Sequence, residues 1–517
     1  MTRQATLQEQ QTYAAESRIA WAIGAIGFLL QMLFNGRYGY FRDELYYIAC
    51  SNHLAFGYVD MAPLAPWLAR VFRILFGDSL HAIRLLPALA FGAEVALTGF
   101  MTRELGGKRW AIFLACISVL LSPVILGNGT RLAMNPIEPL FWMGCIYVLL
   151  LALNRDQPRL LVWCGILLGF GLLNKHSTVF FLAALVIALL LSPERRLLST
   201  KWFWIAAAIA FCIALPNVIW QYVHHFPTLE DLRNVKATHK NVELPPLPFL
   251  HQQMAMLNPY SVFVWLGGLI YLLFHPGAKR FRFLAYTYLV FLAIMMYLKG
   301  KDYYLAPIYP MLFAAGSVLW EKVIHTYTPL RWLRYAIPAV IIAVGIIAAP
   351  LVMPILSPEK IPAYMNALGL KMTRTENGMV SPLPQHFADE FGWPEMVAKV
   401  AEVYDSLPSD QRAKTAILAG NYGGAGAIDF FGPRYGLPKS ISAHQNYYYW
   451  GPRDYTGESV ILLEWSLKDA QYWCGSVWIA GRDAPPLGMG WEHYDILVCQ
   501  NFKVPLSQAW PKLKTWN

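Results

Sequence analysis

The sequence predicts a polytopic α-helical membrane protein with about eleven spans over 1–353, followed by a C-terminal α/β domain over 354–517. Three observations carry that reading. Apolar residues make up 56% of the 517 positions and charged residues only 14%, against about 25% charged in soluble domains. Apolar stretches of spanning length recur through the first two thirds of the chain. The charge also divides: residues 1–353 hold 28 Lys and Arg against 16 Asp and Glu, whereas 354–517 hold 14 against 16.

A soluble chain of this length would have too few charges to cover its surface, so the apolar excess faces lipid. A mean hydropathy of +0.37 and 15% aromatic residues agree. Disordered, collagen-like and disulfide-dense classes are excluded by the same composition. The basic excess of the membrane half follows from the positive-inside rule, and nucleic acid is not an expected partner.

Apolar stretches lie at roughly 18–34, 81–102, 110–127, 136–153, 159–174, 177–192, 202–221, 258–274, 283–298, 304–320 and 335–353. One set of connecting loops carries Arg103, Lys108 and Arg109; Arg155 and Arg159; Arg195, Arg196 and Lys201; Lys279, Arg280 and Arg282; and Lys322, Arg331 and Arg334. The short loops of the other set carry only Arg131, Lys175, Lys299 and Lys301. The first set is expected to be cytoplasmic, which puts the N-terminus inside and, with eleven spans, the C-terminal domain outside. The polar leader before Ile19 has no small-residue cleavage site, so the first span reads as retained.

Two outer loops, 35–80 and 222–257, are longer than connectors need to be and are expected to carry function. Within the first, Pro63–Gly77 sets Trp67, Leu68, Val71, Phe72 and Leu75 on one face with Arg70 and Arg73 on another, the pattern of an interfacial helix. The tail reads as an amphipathic helix at about 393–406 and strands at about 459–464 and 494–499. The run GNYGGAG (420–426) follows the strand-like TAILA and precedes the helix-like AIDFF. It matches no nucleotide-binding fingerprint and reads as a tight strand–helix turn. Of the seven cysteines, Cys474 and Cys499 fall in the tail, where an oxidising compartment predicts a disulfide between them.

The candidate chemistry sits on the outer face. Asp43 and Glu44 follow the first span and adjoin Arg42. On a helix their side chains diverge by about 100° and cannot share a proton as a dyad. One can face a cavity while the other meets a basic partner; alternatively, both cap a helix N-terminus. Glu138, at the outer end of a span, requires a partner or water and pairs either with substrate or with Arg131.

The block FRDELYY with GYVDMAPL, then GTRLAMNPIEPLFW, GLLNKHS, KGKDYYLAPIYP, GNYGGAGAIDFFGPRYGLP and NYYYWGP, in that order, resembles glycosyltransferase family 39, which includes protein O-mannosyltransferases and aminoarabinose transferases. The likeness runs over essentially the whole chain. It implies a C-type glycosyltransferase architecture in a bacterial inner membrane with a periplasmic tail. It further implies transfer of a sugar from a polyprenyl phosphate to a hydroxyl of a lipid, glycan or protein acceptor.

Carried onto this chain, Asp43 matches the family's catalytic acid residue, acting as general base, and Glu44 its neighbour. Asp60 matches an acidic position of the first loop, and Glu138 or Asn135 an acidic position of the third block. Aminoarabinose transferases have lysine where this chain has Met61, so the donor phosphate must find another cation. Lys175 with His176 comes first, then Lys299 and Lys301; snorkelling to headgroups is the alternative for these lysines. Tyr303 lines the sugar or belongs to an interfacial aromatic belt. A single direct displacement inverts the anomeric centre. No cofactor or metal is expected beyond the lipid-linked co-substrate. A transporter or flippase of lipid-linked saccharides is the rival class, which should show repeated halves.

Overall fold

The computed structural model describes residues 2–371, 376 and 381–517, with side chains from residue 14 onward. The chain forms two compact units. The first comprises Met1–Asn35, His81–Ile219 and Glu243–Ile355, the second Gly36–Leu80, Trp220–Val242 and Leu356–Asn517. Most of the first long loop and part of the second therefore pack with the tail.

In the first unit every one of the eleven apolar stretches holds a helix, from Thr2–Phe34 to Leu333–Ala348. Among the described residues five helices are long and apolar enough to cross a membrane: Ala14–Phe34, Leu85–Glu104, Lys201–Val223, Pro276–Tyr297 and Thr328–Leu351. Two more candidates are bent pairs, Thr178–Leu190 with Pro193–Ser199 at 114° and Pro246–Met256 with Pro259–Phe274 at 101°. Each break falls at a proline, which cannot donate to the preceding turn. Arg109–Leu120, Glu138–Asn154 and Pro158–Asn174 are apolar but shorter.

Large apolar side chains remain exposed along the helices, among them Trp21, Leu33, Trp204 and Ile346, as suits a surface solvated by lipid. Between helices, small residues allow backbone contact. A Cβ on Gly268 would lie 2.1 Å from the Leu312 carbonyl oxygen, so the Val262–Phe274 and Tyr309–Thr326 helices approach only because that position has no side chain.

The second unit is built around a mixed four-stranded sheet. Strands β1 (Thr415–Ala419), β2 (Ser459–Leu463), β3 (Cys474–Asp483) and β4 (Tyr494–Phe502) are ordered β1-β2-β4-β3. β1 and β2 run parallel and the other pairs antiparallel. Both parallel strands are buried along their whole length, the signature of a sheet covered on both faces. The expected helix is present at Trp393–Ser406 and the glycine-rich run joins β1 to the Tyr422–Phe431 helix. Cys474 and Cys499 form a disulfide between β3 and β4, with their Cα atoms 5.6 Å apart.

The first-loop part of this unit is two helices, Arg42–Asn52 and Leu64–Phe76. Arg73 joins them: its guanidinium donates to the Ile48 carbonyl at 3.1 Å and to Asn52 Oδ1 at 2.9 Å, while its Nε pairs with Asp78. Val71, Ile74 and Leu75 on the opposite face stay exposed.

Candidate functional site

Two polar constellations stand out, one in each unit. In the second unit the Arg42–Asn52 helix presents both carboxylates in its first turn. Glu44 is fully buried and accepts the backbone N–H of Phe41 at 2.9 Å. That carboxylate caps its own helix and offsets the positive end of the dipole. Asp43 points elsewhere. Its side chain keeps 37% exposure and accepts the Tyr422 hydroxyl hydrogen on Oδ1 at 2.8 Å. Among the described residues Oδ2 has no hydrogen-bond partner. The two expected alternatives, capping and cavity-facing, are thus divided between adjacent residues.

Tyr422 is held by its surroundings. Its ring stacks on Tyr46 at 4.6 Å and on His444 at 5.1 Å, and its backbone N–H donates to His444 Nδ1 at 3.1 Å. Burial, reinforced by Lys240 and Arg42, lowers the His444 imidazole to about 3, so the ring is neutral and its Nδ1 accepts. Arg42 lies 3.8 Å from both Asp43 and Glu376 and sits over the Tyr422 and Trp491 rings.

The glycine-rich run explains how Tyr422 reaches the Arg42–Asn52 helix. Asn421 caps the Tyr422–Phe431 helix by accepting from the Gly423 and Gly424 N–H groups at 2.6 and 3.1 Å. Its own side chain is fixed by Glu464, a buried carboxyl raised by that burial to about 8. A Cβ on Gly423 would lie 2.5 Å from Arg42 Cγ, and one on Gly426 3.0 Å from the Leu45 carbonyl. Here glycine serves helix-on-helix contact as well as the turn.

Behind Asp43 the polar seam continues. The Tyr46 hydroxyl donates to Asp60 Oδ1 at 2.9 Å and accepts the Asn446 N–H at 3.1 Å. Burial, with Asp231 nearby, raises the Asp60 carboxyl to about 7. A carboxyl that titrates near neutrality marks a site candidate. Met61, beside it, is buried at 3% exposure, so this position supplies packing.

In the first unit Glu138 opens the Glu138–Asn154 helix and is 2% exposed. Lys175 Nζ donates to Glu138 Oε2 at 2.8 Å and to Asn135 Oδ1 at 2.9 Å, and the Ser177 hydroxyl donates to the other Glu138 oxygen. The ammonium sits 4.5 Å from the Tyr304 ring centroid and 5.9 Å from that of Tyr303. The partner of Glu138 is therefore Lys175, where the sequence suggested Arg131 or a substrate. Trp142, one turn along the helix, donates to Thr178 Oγ1 at 3.1 Å and stacks on Phe181 at 4.6 Å, which fixes Ser177 and Lys175 relative to Glu138.

The remaining candidates lie apart from this cluster's hydrogen bonds. His176 turns to Asn217, with Nε2 3.1 Å from Oδ1. Lys299 pairs with Glu243 at 2.8 Å at the surface, and Lys301 is half-buried. Sequence reasoning did not single out Tyr46, Tyr422, His444 or Ser177. The signal for Tyr46 was present, three residues after Asp43 on the same helix face.

Residues 60–220 match the family model described as dolichyl-phosphate-mannose-protein mannosyltransferase. The lipid A galacturonosyltransferase RgtD of Rhizobium johnstonii is 28% identical over 236 residues, covering 44% of this chain and 48% of that protein. An undecaprenyl phosphate-alpha-4-amino-4-deoxy-L-arabinose arabinosyl transferase of Pseudomonas fluorescens is 24% identical over 270 residues, 50% and 46% of the two chains. This chain resembles glycosyltransferase family 39. It spans about half the length of the curated relatives it matches. The matched segment holds Asp60, Asn135, Glu138 and Lys175, while Asp43 precedes it.

The crystal structure of ArnT from Cupriavidus metallidurans bound to undecaprenyl phosphate superposes with a TM-score of 0.59 at 12% identity, over 93% of this chain and 97% of that one. The chain therefore shares the fold of ArnT, with several apolar helices and a small C-terminal sheet.

Proposed function

We propose that this protein transfers a sugar from a polyprenyl-phosphate donor to a hydroxyl of a saccharide acceptor at the periplasmic face of a bacterial inner membrane, with inversion at the anomeric carbon. The names of its relatives favour an acidic or amino sugar as donor group and lipid A or lipopolysaccharide core as acceptor. On this reading the chain crosses the membrane about eleven times, with its N-terminus in the cytoplasm.

The observation that carries the mechanism is the half-exposed Asp43 carboxylate, fixed on one oxygen by Tyr422 and, among the described residues, without a partner on the other. The acceptor O–H donates to that oxygen. As its oxygen attacks the anomeric carbon, the proton passes to Asp43 and the bond from that carbon to the phosphate oxygen breaks, releasing polyprenyl phosphate. Cations must hold that departing anion; we assign the contact to Lys175, whose ammonium already answers to Glu138, with Lys299 and Lys301 in support. Tyr303 and Asn135 flank Lys175, and His176 and Arg131 belong to the same outer loops. The lipid-linked sugar is the only co-substrate in this scheme.

The test is direct. Purified protein in detergent is incubated with radiolabelled undecaprenyl-phosphate sugars and lipid A. Transfer by wild type and its loss in Asp43→Asn support the reading; equal transfer by both would remove Asp43 as base.

A further inference from the structure

A cavity of about 550 Å³ opens in the first unit at the ends of three helices, and no residue of the two polar constellations lines it. The N-terminal end of Arg109–Leu120, the C-terminal end of Tyr309–Thr326 and the segment entering Leu333–Ala348 form its walls. Four cations line it: Lys108, Arg109, Arg331 and Arg334. All belong to the basic loop set.

The two acids in the lining, Glu16 and Glu321, are outnumbered by these cations. Glu321 is buried, and its two oxygens accept the backbone N–H groups of Lys108 at 2.8 Å and Ala111 at 3.2 Å. It caps the Arg109–Leu120 helix and is committed there. Glu16, the remaining carboxylate in the lining, attracts Arg109 and Lys108, as well as Arg103 outside it, and so leaves Arg331 and Arg334 to a ligand. Among the described residues none of the four cationic side chains makes an ion pair or hydrogen bond.

The cavity is also built rather than incidental. Trp110 Nε1 donates to the Arg334 carbonyl at 3.1 Å and ties two of the walls together. Tyr335, in the lining, and Trp332, beside it, are exposed by 74% and 62%, as aromatic side chains at headgroup depth are. Its volume falls within the range of about 300–1,000 Å³ usual for small-ligand sites. Unpaired arginines around such a space select phosphate, which they bind bidentately. Basic pockets between membrane helices are where anionic headgroups bind.

We propose that this cavity is a binding site for the phosphate headgroup of an anionic phospholipid in the leaflet facing the basic loops. The site is separate from the sugar-transfer chemistry and does not depend on it.

The test uses the full-length protein reconstituted in nanodiscs of phosphatidylcholine with or without phosphatidylglycerol, then stripped by detergent exchange and weighed by native mass spectrometry. Wild type is expected to retain phosphatidylglycerol in preference to phosphatidylcholine. Arg331→Gln with Arg334→Gln should retain at least about tenfold less, as follows from losing two charge-assisted hydrogen bonds. The paired Arg→Lys variant should fall between, since lysine keeps the charge and loses the fork. If the glutamine variant misfolds by size exclusion, Lys108→Gln alone is scored, with a smaller loss expected. Equal retention of both lipids by wild type, or undiminished retention by a folded variant, overturns the proposal. So does protection by millimolar inorganic phosphate that phosphatidylglycerol does not reproduce, which would assign the cavity to a soluble anion.

Discussion

Tyr422 Oη donates to Asp43 Oδ1 at 2.8 Å, and among the described residues the other carboxylate oxygen has no hydrogen-bond partner. Asp43→Asn keeps the size of the side chain and removes its basicity, so turnover should fall by at least about two orders of magnitude while the protein still inserts and folds. Tyr422→Phe keeps the ring stack on Tyr46 and His444 and removes only the hydroxyl. It should lower turnover less, by roughly tenfold, the scale of one hydrogen bond to a charged group. Steady-state transfer assays check both.

Glu44 should behave as a cap. Glu44→Gln leaves an acceptor for the Phe41 N–H but removes the charge beside the helix N-terminus. The loss should be of stability, about 0.5–1 kcal/mol, with turnover per folded molecule close to wild type. Thermal unfolding in detergent, paired with the transfer assay, separates this outcome from a catalytic one.

Glu138 and Lys175 should show strong coupling. Removing either partner leaves the other buried and uncompensated, at a cost of about 3–5 kcal/mol, whereas Glu138→Gln combined with Lys175→Met should cost less than the two singles together. A double-mutant cycle on unfolding midpoints reads this. If the two single costs simply add, the pair is not acting as a pair.

Asp60 gives a pH signature. Its folded-state carboxyl, at about 7, lies above the ordinary value of 3.8, so the folded protein binds the extra proton. Its contribution to stability is therefore present below about pH 4 and lost as pH rises through about 7. Glu464, raised to about 8, acts in the same sense over a window that reaches higher. Asp60→Asn should stay neutral throughout and flatten the wild-type decline in unfolding temperature between pH 4 and 7, leaving the Glu464 part.

Much of this fold was legible because lipid imposes a coarse and uniform rule on the chain. All eleven apolar stretches hold helices, and the tail's Trp393–Ser406 helix and strands β2 and β4 fall where periodicity placed them. Strand β3 was missed: its residues alternate only weakly and most are exposed, which removes the hydrophobic signal. At the site, residue type identified Asp43 and Glu44 but could not divide their roles, since capping depends on which way each side chain leaves the helix. Lys175 was legible as a cation in an unusual place, but its commitment to Glu138 was not, because the two lie 37 residues apart in sequence. Gly423 and Gly426 read as turn residues from local sequence; the helix they accommodate is nearly 400 positions earlier and leaves no local trace.

That separation has a consequence for biogenesis. The bond between Asp43 and Tyr422 joins positions 379 residues apart. At about 5–20 residues per second a ribosome needs roughly 20–75 s to make the intervening chain. Throughout that interval the Arg42–Asn52 helix lacks the surface that Gly423 and Gly426 open for it, and its aromatic face awaits a partner. Any nascent chain that stops before the tail is complete therefore carries the proposed base on an unsupported helix. Assembly of the second unit around that helix waits until residues 422–426 have been made.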